Sequence, residues 1–254
     1  MKKRIAAIIQ ARMNSSRLPQ KVLKDLQGKP LLYRLKEQLI WSKSLDEIII
    51  ATSTDQKDAP IYLFYQENNI SCFRGDLDNV LKRYIDCAIE FNVDIILRIT
   101  ADNPLMDPES IDNMVKIFYE IPDIDYTNNA HKKGLVHGAG CELVTRGALE
   151  KSLKMIEKYD DDQKWYYYEH VTIFIRKHPT FFNTIKYEAP SELSRNDLFF
   201  SVDYPEDLEV VNIIFKNLYK EGKYIQPKEI FNFLDEHPEI VKVNSHLHDS
   251  LPEW

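Results

Sequence analysis

The sequence predicts an α/β protein with a mainly parallel central sheet and helices on both faces of that sheet. Short apolar runs, typical of buried parallel strands, occur at 5–9, 47–52, 70–73 and 94–100. Longer amphipathic segments, typical of helices, lie between them at 30–43, 57–69 and 77–91. This alternation of short strands and longer helices is the pattern of repeated βαβ units.

The first strand candidate leads directly into a polar loop that carries three cations. Arg12, Arg17 and Lys21 lie there among small residues such as Ser16, whose backbone N–H groups can turn inward. Backbone donors and fixed cations after the first strand of an α/β sheet can hold a polyphosphate, because arginine grips phosphate oxygens in pairs. The loop therefore predicts nucleotide binding. The alternative is a solvated loop with incidental charges.

Two aspartates follow two further strand candidates. Asp102 comes directly after 94–100, and Asp203 follows the apolar run 199–202, which predicts another buried strand. The carboxyl ends of such strands are where open α/β sheets bind ligands, and Mg²⁺ prefers one or two carboxylates together with phosphate oxygens. The alternative for either aspartate is a helix cap, which is the only role assigned to Asp107.

The second half of the chain is less regular, and residues 1–254 are predicted to form a single domain. Residues of roughly 125–190 are predicted to form a lobe that contacts the acceptor or a partner subunit. The further elements expected from the pattern are a strand ending near 125–127, a loop at 131–134, a strand at 140–145, a helix from 146, a polar break at 159–162, a helix over 165–177, a strand at 180–188, a helix after Asp203 and a final helix at 227–236.

The composition excludes several classes of protein. The 254 residues are 44% hydrophobic and 29% charged, which suits one large domain with a substantial core. The net charge of −7 argues against general nucleic-acid binding, and charges interrupt every apolar run before it reaches membrane-span length. The apolar stretch near the N-terminus is too short for a signal peptide, and three cysteines without metal-ligand spacing fit a reducing compartment. We expect a cytoplasmic protein.

The loop that carries Arg12, Arg17 and Lys21, here called the basic loop, resembles the signature of a known enzyme family. Residues 10–21 read Gln-Ala-Arg-Met-Asn-Ser-Ser-Arg-Leu-Pro-Gln-Lys, and Gly-Lys-Pro-Leu follows at 28–31. This pattern is similar to that of the cytidylyltransferases that activate acidic sugars, namely the acylneuraminate and 3-deoxy-manno-octulosonate enzymes. It is most similar to the spore coat polysaccharide biosynthesis group. Gln20 stands where a glycine is common in the family, and this departure is expected to stiffen the loop.

The resemblance implies a Rossmann-like nucleotide-diphospho-sugar transferase fold, a homodimer, and transfer of CMP from CTP to a small acidic sugar with Mg²⁺ as cofactor. Asp102 and Asp203 match the family's metal-binding stretches, although Ala101 replaces the usual glycine. Arg17, Lys21 and Asp102 are the implied catalytic residues. The implied nucleotide-binding residues are Gln10, Ala11, Arg12, Ser16, Arg17, Lys21, Arg74, Arg98 and Ala101. The implied acceptor-binding residues are Asn128, Glu142 and His170.

Several alternatives stay open from the sequence. Arg74 and Arg98 could instead pair with carboxylates, and His170 could be a structural histidine. The expected acceptor is a 2-keto-3-deoxy sugar acid such as a nonulosonate or octulosonate, with a sugar phosphate or a phosphonate as the alternative. A glycosyltransferase that consumes a nucleotide sugar would use Asp76 and Asp78 as its metal pair, although these residues precede a helix and suit capping. The last alternative is a non-catalytic binding protein of the same fold.

Overall fold

A seven-stranded sheet forms the centre of the computed structural model, which describes residues 3–130, 134–158 and 163–248. The spatial order is β3-β2-β1-β4-β6-β5-β7. Neighbouring strands pair in parallel except at β6, which is antiparallel to both β4 and β5. The strands are β1 (Ile5–Gln10), β2 (Glu47–Ser53), β3 (Cys72–Gly75), β4 (Ile95–Thr100), β5 (Tyr126–Asn128), β6 (Glu142–Thr145) and β7 (Thr184–Lys186). The predicted α/β class with a mainly parallel sheet is confirmed.

The α-helices lie on both faces of this sheet and beyond its carboxyl edge. They are α1 (Leu31–Leu39), α2 (Ala59–Glu67), α3 (Val80–Glu90), α4 (Pro108–Glu120), α5 (Arg146–Lys158), α6 (Lys164–Glu169), α7 (Ile173–Lys177), α8 (Pro205–Leu218), α9 (Pro227–Glu236) and α10 (Pro238–Asn244). Within the described part of the chain, no helix combines the length and the apolar character that crossing a bilayer requires.

The inner strands β1, β2 and β4 are mainly apolar because both faces of the sheet are covered there. Along β1, Ile5, Ala7 and Ile9 face a core shared with α1 and α4, whereas Ala6 and Ile8 face a core shared with α3 and α5. Successive side chains of a strand point to opposite faces, so a strand covered on both sides needs an unbroken apolar run. A third core joins α8, α9 and α10 to residues around the basic loop.

The region predicted as a lobe, 125–190, contributes β5, β6 and β7 to the same sheet as the first half of the chain. Its role with an acceptor or a partner subunit stays a prediction, as does the single domain over 1–254. The predicted polar break at 159–162 and, apart from Gly134, the predicted loop at 131–134 lie outside the described residues.

The strand predicted at 199–202 is wrong, although the run is buried as expected. Phe199 makes one isolated bridge with His137 and joins no strand of the described sheet. The N–H of Phe200 donates to the carbonyl of His137 at 2.8 Å, and that of Val202 donates to the carbonyl of Asp102 at 2.8 Å. The run therefore crosses the loops at the carboxyl edge of the sheet, where no strand edge is available to pair with it.

Other differences concern element boundaries. The helix predicted over 165–177 divides into α6 and α7, because Val171 between them has φ 43° and cannot continue a right-handed helix. The strand predicted at 70–73 begins and ends two residues later, as β3, and the one at 180–188 shortens to β7. The helix α9 matches the prediction at 227–236 but is not the last, since α10 follows it.

Candidate active site

The candidate site lies where β1 and β4 end side by side in the middle of the sheet. Gln10 and Thr100, the last residues of these strands, are partners in the parallel register. From β1 the order runs to β2 on one side and to β4 on the other, so the strand order reverses between these strands. Ligands of open α/β sheets bind in the crevice at such a point, outside the carboxyl ends of the strands. The basic loop and the loop carrying Asp102 both begin there.

The basic loop is held in place by its neighbours. Leu18 is buried in the third core, and the N–H of Met13 donates to Oδ1 of Asp58 at 2.7 Å. The other oxygen of this buried carboxylate accepts from the Ser53 hydroxyl at 2.5 Å, which ties the loop to the end of β2. Sequence reasoning missed Asp58, because its contact with Met13 joins residues far apart in the chain.

Gln20 has the left-handed backbone conformation that glycine adopts most easily, with φ 58° and ψ 22°. A residue with a Cβ, such as Gln20, is strained in this conformation by about 1 kcal/mol relative to glycine. The loop bond from Gln20 N–H to the Met13 carbonyl, at 3.1 Å, is nevertheless present. The N–H groups of residues 14–17 donate to no acceptor within the described residues, so they are available to an anion.

The basic loop and the two aspartates meet at Lys21. Its ammonium donates to Oδ2 of Asp102 at 2.6 Å, to Oδ1 of Asp203 at 2.8 Å and to the carbonyl of Val202 at 2.9 Å. Arg17 also pairs with Oδ1 of Asp203, at 2.8 Å. The carboxylates predicted to share a metal ion therefore converge on one positive charge, from loops that are distant in the sequence.

The charges in this cluster stabilise one another. Burial works to lower the pKa of Lys21, but Asp102 and Asp203 raise it above its ordinary value. Burial works to raise the pKa of Asp102, but the charge of Lys21 and hydrogen bonds from Lys21 and Thr100 lower it below its usual range. Both groups are therefore ionised at neutral pH.

The aspartate pair fits a magnesium ion. Oδ1 of Asp102 is buried and has no hydrogen-bond partner in the part of the chain that the structure describes, so an ionised oxygen is left without a ligand. The described residues contain no group of three or more His, Cys, Asp or Glu side chains suited to a metal. Magnesium does not need such a group, because it binds through one or two carboxylates and takes its other ligands from phosphates and water.

A second charged group lies beside the first, between β4 and β6. Arg98 and Glu142 are partners in the antiparallel register and form an ion pair of 2.5 Å, and Oε1 of Gln10 accepts from Arg98 at 3.2 Å. The hydroxyls of Tyr126 and Thr172 both donate to Glu142, at 2.5 and 2.9 Å. Both oxygens of Glu142 are thus engaged within the protein.

This ion pair fixes the charge state of its members. Burial works to raise the pKa of Glu142, but the charge of Arg98 and the Tyr126 hydrogen bond lower it below its ordinary value. Nε of Arg98 is buried and has no acceptor among the described residues. The roles of Arg98 and Glu142 in binding nucleotide or acceptor stay predictions, while the expectation that Arg98 could pair with a carboxylate agrees with the structure.

The remaining predicted acceptor residues lie near this pair. Asn128 ends β5, where it is the register partner of Glu142, and its buried Oδ1 has no partner within the described ranges. His170 packs against Tyr166 with 4.4 Å between the ring centroids. Burial and the nearby charge of Arg98 lower the pKa of His170, so its ring is neutral at pH 7. Within the described residues, neither Asn128 nor His170 is hydrogen-bonded to Lys21, Asp102 or Asp203.

The predicted nucleotide-binding residues are spread along the carboxyl edge of the sheet. Arg12 pairs with Glu169 at 3.2 Å, and Ser16 is exposed in the loop. Arg74 donates to the carbonyls of Ser53 and Asp55 at 2.9 and 3.0 Å, which hold its guanidinium at the end of β2.

The two alanines of the predicted nucleotide set are buried at strand ends and bond only through the backbone. The N–H of Ala11 donates to Ala51, and that of Ala101 donates to the carbonyl of Gln10.

In the alternative metal pair, the side chain of Asp76 stabilises the turn before α3, and Asp78 contributes a backbone N–H to that turn. Oδ1 of Asp76 accepts from the N–H groups of Asp78 and Asn79, both at 2.9 Å. Asn79 in turn accepts from the N–H of Lys82 and caps α3. These contacts are those of a turn that begins a helix, as the capping alternative expected.

Sequence reasoning also missed His137, which no local pattern distinguishes. Its ring stacks on Phe199 with 4.2 Å between centroids, and its buried Nδ1 has no partner among the described residues. Burial and the neighbouring His248 lower its pKa, while the negative charges of Asp203 and Asp102 oppose that shift. His137 therefore belongs to the electrostatic surroundings of the aspartate pair.

The chain is similar in sequence and in fold to several known proteins. A family model described as cytidylyltransferase matches residues 6–225. The spore coat polysaccharide biosynthesis protein SpsF of Bacillus subtilis is 30% identical over 242 residues, which are 93% of this chain and 96% of that protein. The solved structure of a cytidylyltransferase from Leptospira borgpetersenii covers all of both chains with a TM-score of 0.85 and 24% identity. A CMP:2-keto-3-deoxy-manno-octonic acid synthetase solved with CTP has a TM-score of 0.61 and 16% identity, and covers 85% of this chain and 99% of its own.

Proposed function

Because this chain belongs to the cytidylyltransferase family, a family of enzymes, we propose that it transfers CMP from CTP to an acidic sugar and releases pyrophosphate. The observation that carries the proposal is the convergence of Asp102 and Asp203 on Lys21 beside the basic loop. A pair of carboxylates suits a nucleoside triphosphate and its metal ion when fixed cations lie nearby, together with loop N–H groups that have no acceptor in the described part of the chain.

Each part of the cluster has a role in this proposal. Arg17, Lys21 and the loop N–H groups at 14–17 bind the phosphates, and Asp102 and Asp203 hold Mg²⁺. When bound, the ion neutralises negative charge on the phosphates and on the leaving pyrophosphate. A hydroxyl oxygen of the acceptor forms a bond to the α-phosphorus as the bond from that phosphorus to the pyrophosphate oxygen breaks, and the hydroxyl proton passes to solvent. The protein contributes positioning and charge rather than a covalent intermediate.

We assign the acceptor to the region of Asn128, Glu142 and His170. In support, Asn128 and Arg98 each have a buried polar atom without a partner in the described residues, and both lie against Glu142. A guanidinium with an open N–H suits the carboxylate of a 2-keto-3-deoxy sugar acid. The resemblance of residues 10–21 to acidic-sugar enzymes supports the same substrate class, and the name of the Bacillus subtilis relative supports a place in polysaccharide biosynthesis.

The assembly and the compartment belong to the proposal as well. We propose a homodimer from the resemblance alone. We also propose a cytoplasmic location, supported by Cys72, Cys87 and Cys141, which are all free thiols.

A matrix of nucleotides and acceptors tests the proposed function. The purified protein is incubated with Mg²⁺, with each of CTP, UTP, ATP and GTP, and with 2-keto-3-deoxy sugar acids, sugar phosphates or phosphonates. A parallel set of incubations contains nucleotide sugars in place of the nucleotides. We expect pyrophosphate release only with CTP and a sugar acid, together with a CMP-linked product seen by mass spectrometry. If pyrophosphate is released only with a sugar phosphate or a phosphonate, that compound class is the acceptor and the sugar acid is not. Sugar transfer from a nucleotide sugar without pyrophosphate release would contradict the proposal, as would CTP binding without any turnover.

A further inference from the structure

A fully buried carboxylate, that of Asp207, lies in the first turn of α8, close to Asp203. Its Oδ2 accepts from the N–H groups of Asp203 at 3.0 Å and of Tyr204 at 2.8 Å. Its Oδ1 lies 2.9 Å from Nδ2 of Asn244 and 2.7 Å from Nε2 of His248. One carboxylate therefore joins the backbone of a proposed metal ligand to the end of the described chain.

Helix capping explains only half of these contacts. A capping box needs the bonds between Asp207 and the N–H groups at the start of α8, and those bonds are present. Asn244 and His248, however, lie 37 and 41 residues further along the chain and add nothing to the helix start. A carboxylate buried at 0% exposure is stable only when donors satisfy both of its oxygens. The two distant donors therefore hold Asp207 in the position from which it binds Asp203.

The same two residues also fix the chain that leads into Asp203. The ring of His248 stacks on Phe199 with an angle of 13° between the planes, and Phe199 stacks on His137 at 11°. Nδ2 of Asn244 also donates to the carbonyl of Phe199 at 3.3 Å. Asn244 and His248 thus hold both ends of the stretch 199–204, directly at Phe199 and through Asp207 at the other end. Val202 and Asp203, within this stretch, both accept hydrogen bonds from Lys21.

We propose that Asn244 and His248 are positioning residues for Asp203 and act on it through Asp207. The inference rests on the proposed function, because Asp203 is a metal ligand only there. Outer groups that orient a metal-binding carboxylate change metal affinity by about 10- to 100-fold when they are removed. Asn244 at the end of α10 and His248 beyond it are then part of the metal site, although they act only through Asp207.

Binding of Mn²⁺ in the presence of CTP and without acceptor tests this role, with the dissociation constant measured by electron paramagnetic resonance. His248→Leu removes one donor to Asp207, and we expect Mn²⁺ binding about tenfold weaker than in the unchanged protein. His248→Gln supplies an amide N–H in place of the imidazole nitrogen, so we expect it to recover most of the affinity. His237→Leu is the matched control, because His237 is a half-exposed histidine at the end of α9 that contacts Phe233 and Glu239 rather than Asp207.

Loss of one donor to a buried carboxylate is expected to lower the thermal midpoint by a few degrees. Folding is therefore checked by circular dichroism at the assay temperature and by CTP binding without metal, both of which we expect to match the unchanged protein. Should His248→Leu not fold, Asn244→Ser removes the other donor to the same oxygen and is expected to weaken Mn²⁺ binding likewise. If the folded His248→Leu or Asn244→Ser protein binds Mn²⁺ as tightly as the unchanged protein, the positioning role is wrong. The proposed function would not be affected by that result. If Asp203→Asn also leaves Mn²⁺ affinity unchanged, the metal site of the proposed function itself is wrong.

Discussion

Lys21 is the residue on which the charges of the candidate site depend. Two carboxylates brought together without a cation repel each other, and one of them then takes up a proton. The ammonium of Lys21 lies within 2.8 Å of an oxygen of each aspartate and lowers the pKa of Asp102 below its usual range. Asp102 is therefore held in its ionised form, which is the form that binds a divalent cation.

Asp102→Asn should abolish turnover while leaving the fold intact. The amide keeps the shape of the side chain but removes the charge that the proposed Mg²⁺ requires, and metal stabilisation of several kcal/mol corresponds to a loss of at least about 100-fold. Pyrophosphate release is measured with saturating CTP and acceptor, and circular dichroism checks the fold. Near-normal pyrophosphate release from this variant would show that Asp102 is not a metal ligand.

Lys21→Ala should weaken binding of the triphosphate and shift the pH dependence of turnover. Loss of one charge-assisted contact of about 1.5 kcal/mol or more raises the KM for CTP about tenfold. Because Lys21 lowers the pKa of Asp102, its removal raises that pKa, and the acid side of the pH–rate profile moves to higher pH. The control is Lys29→Ala, which removes an exposed cation near the same loop. An unchanged KM for CTP would argue against a role of Lys21 in triphosphate binding, and an unchanged pH profile would argue against its effect on Asp102.

At the scale of secondary structure, the pairing of β4 with β6 buries an ion pair. Arg98 and Glu142 face each other across the two strands. Removal of one partner of a buried pair leaves the other as an uncompensated charge, which is strongly destabilising. We therefore expect Glu142→Gln to lower the free energy of unfolding at pH 7 by about 3 kcal/mol, measured by urea denaturation.

The charge of Glu142 determines how the stability difference between the unchanged protein and Glu142→Gln depends on pH. The pKa of Glu142 is lower in the folded protein than in the unfolded chain, so its contribution is fully present above the unfolded pKa of about 4.3 and is lost as the pH falls through the folded pKa. The stability gap between the unchanged protein and Glu142→Gln should therefore narrow below about pH 4. A gap that stays constant down to pH 3 would contradict the assignment.

The secondary structure was predictable where local pattern and packing agree. The apolar runs of β1 and β4, the second interrupted by Arg98, identify strands covered on both faces. Asp107 caps α4 as expected, accepting from the N–H of Ser110 at 3.0 Å. The division between α6 and α7 was not predictable, because a β-branched residue such as Val171 avoids positive φ when local forces act alone. Its side chain is fully buried, so tertiary packing maintains this conformation.

At the scale of the whole molecule, two distant segments are in close contact beside the site. Gly138 has φ +90°, and a Cβ added there would lie 2.3 Å from the backbone N of Ser201 and 2.6 Å from the carbonyl carbon of Phe200. No side chain can be accommodated between these backbones. The bridge between His137 and Phe199 holds the same two segments together.

Gly138→Ala should therefore destabilise the protein and reduce turnover together. The positive φ and the clash with Ser201 are expected to lower the free energy of unfolding by about 2 kcal/mol or more. The displaced backbone carries Asp203, so turnover at limiting Mg²⁺ should fall even where the protein is folded. Thermal unfolding and pyrophosphate release measure the two effects.

Gly147→Ala is the matched control for this substitution, because a Cβ at Gly147 in α5 would meet nothing within 4 Å. We expect its stability to be unchanged or slightly higher, since alanine favours a helix over glycine. Equal stability of the two alanine variants would contradict the close contact at Gly138.

Local sequence was enough to predict the α/β class, a basic loop at 10–21 after the first strand and acidic residues at the ends of apolar runs, because strand periodicity, loop composition and capping act over a few neighbouring residues. The meeting of Asp102 with Asp203 at Lys21, the engagement of Arg98 by Glu142 and the tie from His248 through Asp207 arise from chain folding. Each joins residues that are far apart in the chain. Such contacts depend on the order of the strands and on the packing of α8 and α10, which no short stretch of sequence encodes.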